Sequence, residues 1–114
     1  MINAKEIRTM EEFAGILEES NTTPVVLCKF SPICPISSEA ENQFYEYLQS
    51  NPKGISFYKI DVVYSRDTSR SLAKVINVKH ESPQALFFIN GKCIWHDSHY
   101  HLTKEKFEEK LKLN

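Results

Sequence analysis

Three residues in this 114-residue chain have the means for covalent chemistry: Cys28, Cys34 and Cys93. Cys34 stands apart by its setting. It lies in Ser31-Pro32-Ile33-Cys34-Pro35-Ile36-Ser37, between an apolar run and a segment with helical periodicity. A thiol at the start of a helix meets unpaired backbone amides and the positive end of the helix dipole, and both favour the thiolate, the form that attacks a disulfide. Pro35 suits the first helical position, where a missing amide hydrogen leaves no helical acceptor wanting. Prolines on both sides make this turn a poor place for a cysteine that only fills a core. Cys34 therefore reads as a reactive thiol.

In a two-thiol site the resolving cysteine stands three positions on, one helical turn away. Ser37 occupies that position here, and a hydroxyl cannot form the disulfide. The pattern predicts one-thiol chemistry, with Ser37 a first-turn hydrogen-bonder that could donate to the Cys34 sulfur. Cys28 and Cys93 fall within strand-like runs and read as inert core thiols, with a backup resolving role as the lesser alternative. His96, His99 and His101, near Cys93, are the residue types that bind zinc. Their spacing matches no standard ligand pair, and strand alternation would scatter them, so no metal site is expected. Lys29 and His80 read as structural or solvated, although either cation could help to stabilise a Cys34 thiolate.

The elements that must position Cys34 follow from periodicity and punctuation. Thr9-Met10-Glu11-Glu12 is a T-x-x-E capping box opening a helix over about 10–20, with Phe13, Ile16 and Leu17 as its apolar stripe. Val25 to Phe30 is β-branched and nearly unbroken in apolar character, as a buried, central parallel strand requires. Ile36, Ala40, Phe44, Tyr47 and Leu48 mark the second helix, which Asn51-Pro52 stops. A strand over 55–63 follows, then a short helix after Ser65-Arg66-Asp67 with Leu72, Val75 and Ile76 on its stripe. Gln84 to Ile89 and Lys92 to Trp95 flank Asn90-Gly91, the dipeptide best suited to a type I′ hairpin turn. Leu102 and Thr103 introduce a last helix carrying Phe107 and Leu111. A βαβ unit, a hairpin and a closing helix predict an α/β chain of the thioredoxin-like order, with a mixed four- to five-stranded sheet and helices on both faces.

Composition narrows the function classes. Lys plus Arg number 14 and Asp plus Glu 15, a net charge of −1, which lacks the electrostatic footprint of a nucleic-acid or anionic-membrane binder. The length suits one domain, residues 1–114, able to bury about two-thirds of its unfolded surface. The first residues carry no apolar stretch of signal-peptide length and no run is long enough to span a bilayer, so a cytoplasmic protein with reduced thiols is expected.

The Cys34-Pro35-Ile36-Ser37 stretch resembles the Cys-Pro-Ile-Ser active-site motif of the monothiol bacilliredoxins, the thioredoxin-like family labelled YtxJ in bacillithiol-using bacteria. The resemblance continues through Val78-Lys79-His80-Glu81-Ser82-Pro83-Gln84, Asn90-Gly91-Lys92 and Trp95-His96-Asp97-Ser98-His99, and so covers most of the chain. It implies a thiol-disulfide oxidoreductase that takes bacillithiol from S-bacillithiolated client proteins onto Cys34. Bacillithiol is then the thiol substrate, no other cofactor is needed, and free bacillithiol or a partner reductase recycles the protein. Cys28 stands six positions before Cys34, where thioredoxins carry a buried acidic residue that serves their resolving thiol. A chain without that thiol has no use for the carboxylate. Thioredoxin-like proteins also resemble one another in a cis proline facing the active-site cysteine, which here corresponds to Ser82-Pro83. The Ser82 amide and carbonyl would then be offered to an extended substrate segment.

Two other functions fit the same fold. A monothiol glutaredoxin-like iron-sulfur carrier would show Cys-Gly-Phe-Ser, whereas Pro35 and Ile36 replace the central pair, and a visible-absorbing cluster after anaerobic isolation would identify it. A non-catalytic thioredoxin-like adaptor would keep the fold and groove, with a Cys34 that alkylates like any free cysteine.

Overall fold

The computed structural model describes residues 3–112. The chain runs through β1 (Lys5–Glu6), α1 (Met10–Glu19), β2 (Val25–Phe30), α2 (Pro35–Gln49), β3 (Ser56–Asp61), α3 (Arg66–Ile76), β4 (Gln84–Ile89), β5 (Lys92–Ser98), a 3-10 turn at His99–His101 and α4 (Lys104–Lys110). Five strands form one sheet in the order β1-β3-β2-β4-β5. β1 and β2 pair parallel with β3, while β2–β4 and β4–β5 are antiparallel. This is the mixed sheet expected from the element order, and β2 is its central strand.

All six β2 residues are buried because helices cover both sides of the sheet. Successive side chains point to opposite faces. Val26, Cys28 and Phe30 join Phe44, Tyr47 and Leu48 of α2 with Phe107 of α4 on one side. Val25 and Leu27 join Phe13 and Ile16 of α1 with Leu72 of α3 on the other. An apolar run without alternation is what a strand buried on both faces needs.

The capping box is formed in full: Thr9 Oγ accepts from Glu12 N–H at 3.0 Å, and a Glu12 carboxylate oxygen accepts from Thr9 N–H at 3.2 Å. Asn90 and Gly91 have φ of 52° and 76°, the two positive angles of a type I′ turn.

Some boundaries differ from those the periodicity predicts. β3 ends at Asp61, whose carboxylate accepts the N–H groups of Val63 and Tyr64 at 2.9 Å each, turning the chain outward and leaving Val63 exposed. Val75 lies on the outer side of α3 and is 62% exposed, so the third-helix core stripe is Leu72, Ala73 and Ile76. β5 runs on to Ser98, with a register shift at Phe87/Phe88 that skips Ile94. β1 has no sequence signature, since a two-residue strand has no periodicity to read.

Candidate active site

β2 delivers the chain to the rim of the sheet, and α2 starts there. Cys34 is the N-cap of α2, with extended backbone (φ −111°, ψ 120°), and Pro35 begins the helix. The Cys34 carbonyl accepts the first helical bond from Ser38 N–H at 3.0 Å. Its thiol is free and half-buried. Pro32 and Ile33 before it are exposed, Ile33 at 79%, and place an apolar rim beside the sulfur. Ile36 is half-buried.

Ser37 is wholly buried, and its Oγ accepts from the Ser31 N–H at 2.6 Å. This hydrogen bond ties the loop back to the helix and leaves the hydroxyl proton of Ser37 uncommitted. Ser37 braces the turn that presents Cys34, a role its place in the motif does not reveal.

The Ser82–Pro83 bond is cis. Gln84 pairs with Lys29 of β2, so Pro83 lies at the same end of the sheet as Cys34. The loop before it is held from three sides. Gln84 Nε2 donates to the Lys79 carbonyl at 2.9 Å, His99 N–H donates to the Pro83 carbonyl at 3.0 Å, and Ser98 Oγ donates to the Glu81 carboxylate. Among the described residues the Ser82 main chain makes no hydrogen bond in this loop, and Ser82 Oγ is buried without a partner.

The other cysteines lie elsewhere. Cys28 is 0% exposed on the α2 side of the sheet, and burial, reinforced by the Glu41 charge, pushes its thiol well above the ordinary range. Cys93 pairs with Phe88, which pairs with Val25 at the opposite end of β2 from Cys34. Five strand steps separate Val25 from Phe30, roughly 16 Å at about 3.3 Å per residue. Burial also raises the Cys93 thiol, and its Sγ donates to the Trp95 carbonyl at 3.5 Å.

His96, His99 and His101 are exposed along the end of β5 and the 3-10 turn. Among the described residues no group of three His, Cys, Asp or Glu side chains is placed to hold a metal ion.

Lys29 is the exception to apolar burial in β2. It is 0% exposed and points to the α3 side, where Nζ donates to the Ser69 carbonyl at 3.2 Å and to His80 Nδ1 at 3.1 Å. His80 accepts as the neutral ring, with burial and then the charges of Lys29 and Arg70 lowering its pKa. Neither residue faces α2, so their work is to join β2, α3 and the loop before Pro83.

Burial brings the Lys29 pKa from 10.5 down to about 8. The unfolded chain then holds the Lys29 proton more tightly than the folded one, so stability from this group rises with pH between about 8 and 10.5 and is lowest below 8. The full swing is about 3 kcal/mol. Urea unfolding of the wild type and of Lys29→Met at pH 7 and pH 10 checks this. The wild type should gain on the variant by about 2–3 kcal/mol at the higher pH, and a pH-independent difference would contradict the assignment.

With this geometry in view, the chain matches the model of the family described as monothiol bacilliredoxin BrxC over residues 5–107. The chain belongs to the monothiol bacilliredoxins. A solved structure described as a candidate oxidoreductase with a thioredoxin fold is 34% identical to this bacilliredoxin, covers 96% of it and 94% of its own chain, and superposes with a TM-score of 0.84. Thioredoxins from Fasciola hepatica (18% identity, 94% of this chain and 95% of theirs, TM-score 0.74) and Trypanosoma brucei brucei (17%, 97% and 93%, 0.73) share the fold. Family and fold together make this bacilliredoxin a thiol-disulfide oxidoreductase of thioredoxin architecture. Among its described residues no helix is long and apolar enough to cross a membrane.

Proposed function

We propose that this bacilliredoxin removes bacillithiol from S-bacillithiolated client proteins in the cytoplasm, using Cys34 alone. The observation that carries the reading is the pair of positions at the start of α2: a free, half-buried thiol at the N-cap and a buried serine where a resolving thiol would stand.

In the first step the Cys34 thiolate attacks the bacillithiol sulfur of a client mixed disulfide. A Cys34–bacillithiol disulfide forms, the client sulfur–sulfur bond breaks, and the client leaves as a thiolate that takes a proton from water. In the second step a second bacillithiol thiolate, or a thiol of a partner reductase, attacks the bacillithiol sulfur on Cys34. That step regenerates the Cys34 thiolate and carries bacillithiol away in a new disulfide. No electrons are gained or lost beyond the exchange of one disulfide for another. Ser82, with its main chain unbonded within the loop and its hydroxyl buried without a partner, supplies the edge against which an extended client segment adds as a strand.

Mixed with a bacillithiolated protein and no added reductant, the chain should accumulate one bacillithiol, mapped by digestion to Cys34, because Cys28 is enclosed and Cys93 lies at the far end of the sheet. Intact-mass spectrometry reads this directly. A Cys34 disulfide with Cys28 or Cys93 would overturn the one-thiol mechanism. Faster uptake from a glutathionylated substrate would overturn the bacillithiol preference and leave the exchange chemistry standing.

A further inference from the structure

Behind the loop that carries Ser82-Pro83 lies an open groove of about 430 Å³, between the outer side of α3 and the segment that follows it. Its lining includes Arg70, Lys74, Lys79 and His80, with Asn77 and Val78 between them, and no carboxylate. Arg70 and Lys74 are four apart and so share one face of α3. The ion pairs among the described residues are Arg8–Glu6, Lys59–Glu41 and Lys110–Glu109, none of which draws on these cations. Behind His80 the buried Lys29 ammonium adds further positive charge, held by a carbonyl and a ring nitrogen instead of a counter-ion. Glu81 is the acidic group that acts on His80, and its carboxylate is engaged by Ser98.

A concentration of like charge with no internal partner is relieved by an anion, and its position limits which one. Lys29 pairs with Gln84, the residue after Pro83, and Lys29 Nζ touches His80, so the His80 side of the groove lies at the same end of the sheet as Cys34. A small molecule joined through sulfur to Cys34 and passing the Ser82 edge would extend toward it. We propose that this groove binds the carboxylates of the low-molecular-weight thiol carried by the mixed disulfide. This inference rests on the proposed exchange reaction for its ligand, and Arg70 and Lys74 are the residues that would set the preference for an acidic thiol over a neutral one. Pairing with arginine and lysine suits carboxylates, which accept charge-assisted hydrogen bonds.

The test separates binding from exchange by using thioethers, which cannot react with Cys34. The wild-type chain is titrated with S-methyl bacillithiol, S-methyl glutathione and the uncharged 2-(methylthio)ethanol while backbone amide NMR shifts are followed. The carboxylate-bearing thioethers should shift the amides of residues 70, 74, 79 and 80, and the uncharged one should not. In the Arg70→Gln/Lys74→Gln double variant their affinity should fall about tenfold, the scale of two exposed charge contacts. Both substitutions are on exposed positions, and the variant's own spectrum verifies its fold. The tighter of the two acidic thioethers identifies the thiol that the groove serves. Absence of shifts at these residues, or equal affinity in the double variant, overturns the groove. If the thioethers bind there while the wild type takes no bacillithiol from a mixed disulfide, the exchange reading fails and the groove stands. If exchange proceeds without any shifts at these residues, the groove fails and the exchange reading stands.

Discussion

Cys34→Ser should lose thiol exchange on a mixed-disulfide substrate by a factor on the order of a thousand or more, since no other group can take the nucleophile's place. Cys28→Ser and Cys93→Ser should keep most of the wild-type rate. The physical reason is access and charge together. Cys34 caps a 15-residue helix and is half open, whereas the enclosure of Cys28 and the partial burial of Cys93 both push their thiols toward the protonated, unreactive form. Release of the client thiol over time measures all three variants. Equal loss in Cys28→Ser, in a chain shown by circular dichroism to remain folded, would sink the one-thiol assignment.

The largest effect on stability is expected at Phe44. Its ring is 0% exposed and lies 5.8 Å from Phe30, 6.1 Å from Phe57 and 5.6 Å from Phe107, centroid to centroid. It thereby ties α2 to the last residue of β2, to β3 and to α4. Phe44→Ala removes this hub and leaves a cavity that four elements must close, at a cost of about 4 kcal/mol. Domains of this size carry roughly 5–15 kcal/mol in all, so the midpoint of urea unfolding should drop steeply. The rate constant of Cys34 in molecules that remain folded should change far less, because the N-cap contacts of Ser31, Ser37 and Ser38 are local. A loss below about 1 kcal/mol would mean that the aromatic cluster repacks and does not anchor α2.

Much of this molecule can be read from the amino-acid order alone, because its signals are local. The Thr9–Glu12 capping box, the unbroken β2 run, the prolines around Cys34 and the Asn90-Gly91 turn each determine backbone geometry within a few residues. Together they specify the element order and hence the fold. The expectation of a reactive Cys34 rests on the same kind of signal, since Cys34-Pro35 at a strand-to-helix junction and a serine at position 37 are statements about neighbours in sequence.

What the amino-acid order leaves open depends on residues far apart in the chain. β1 exists because Lys5 and Glu6 find β3, a pairing that two residues cannot announce. Spacing places Ser37 one turn after Cys34, and it does not say that the tight loop brings the Ser31 N–H onto the Ser37 hydroxyl oxygen. Lys29 interrupts an apolar run and reads from the sequence as structural or solvated; only the structure shows it buried, with α3 and the loop before Pro83 supplying Ser69 and His80 as its partners. Arg70, Lys74 and Lys79 look like solvated surface in the sequence, and only the packing of α3 beside that loop gathers them into one groove. Helix caps and turns are settled by the chain's own neighbours, whereas the partners of a buried charge are chosen when distant elements meet.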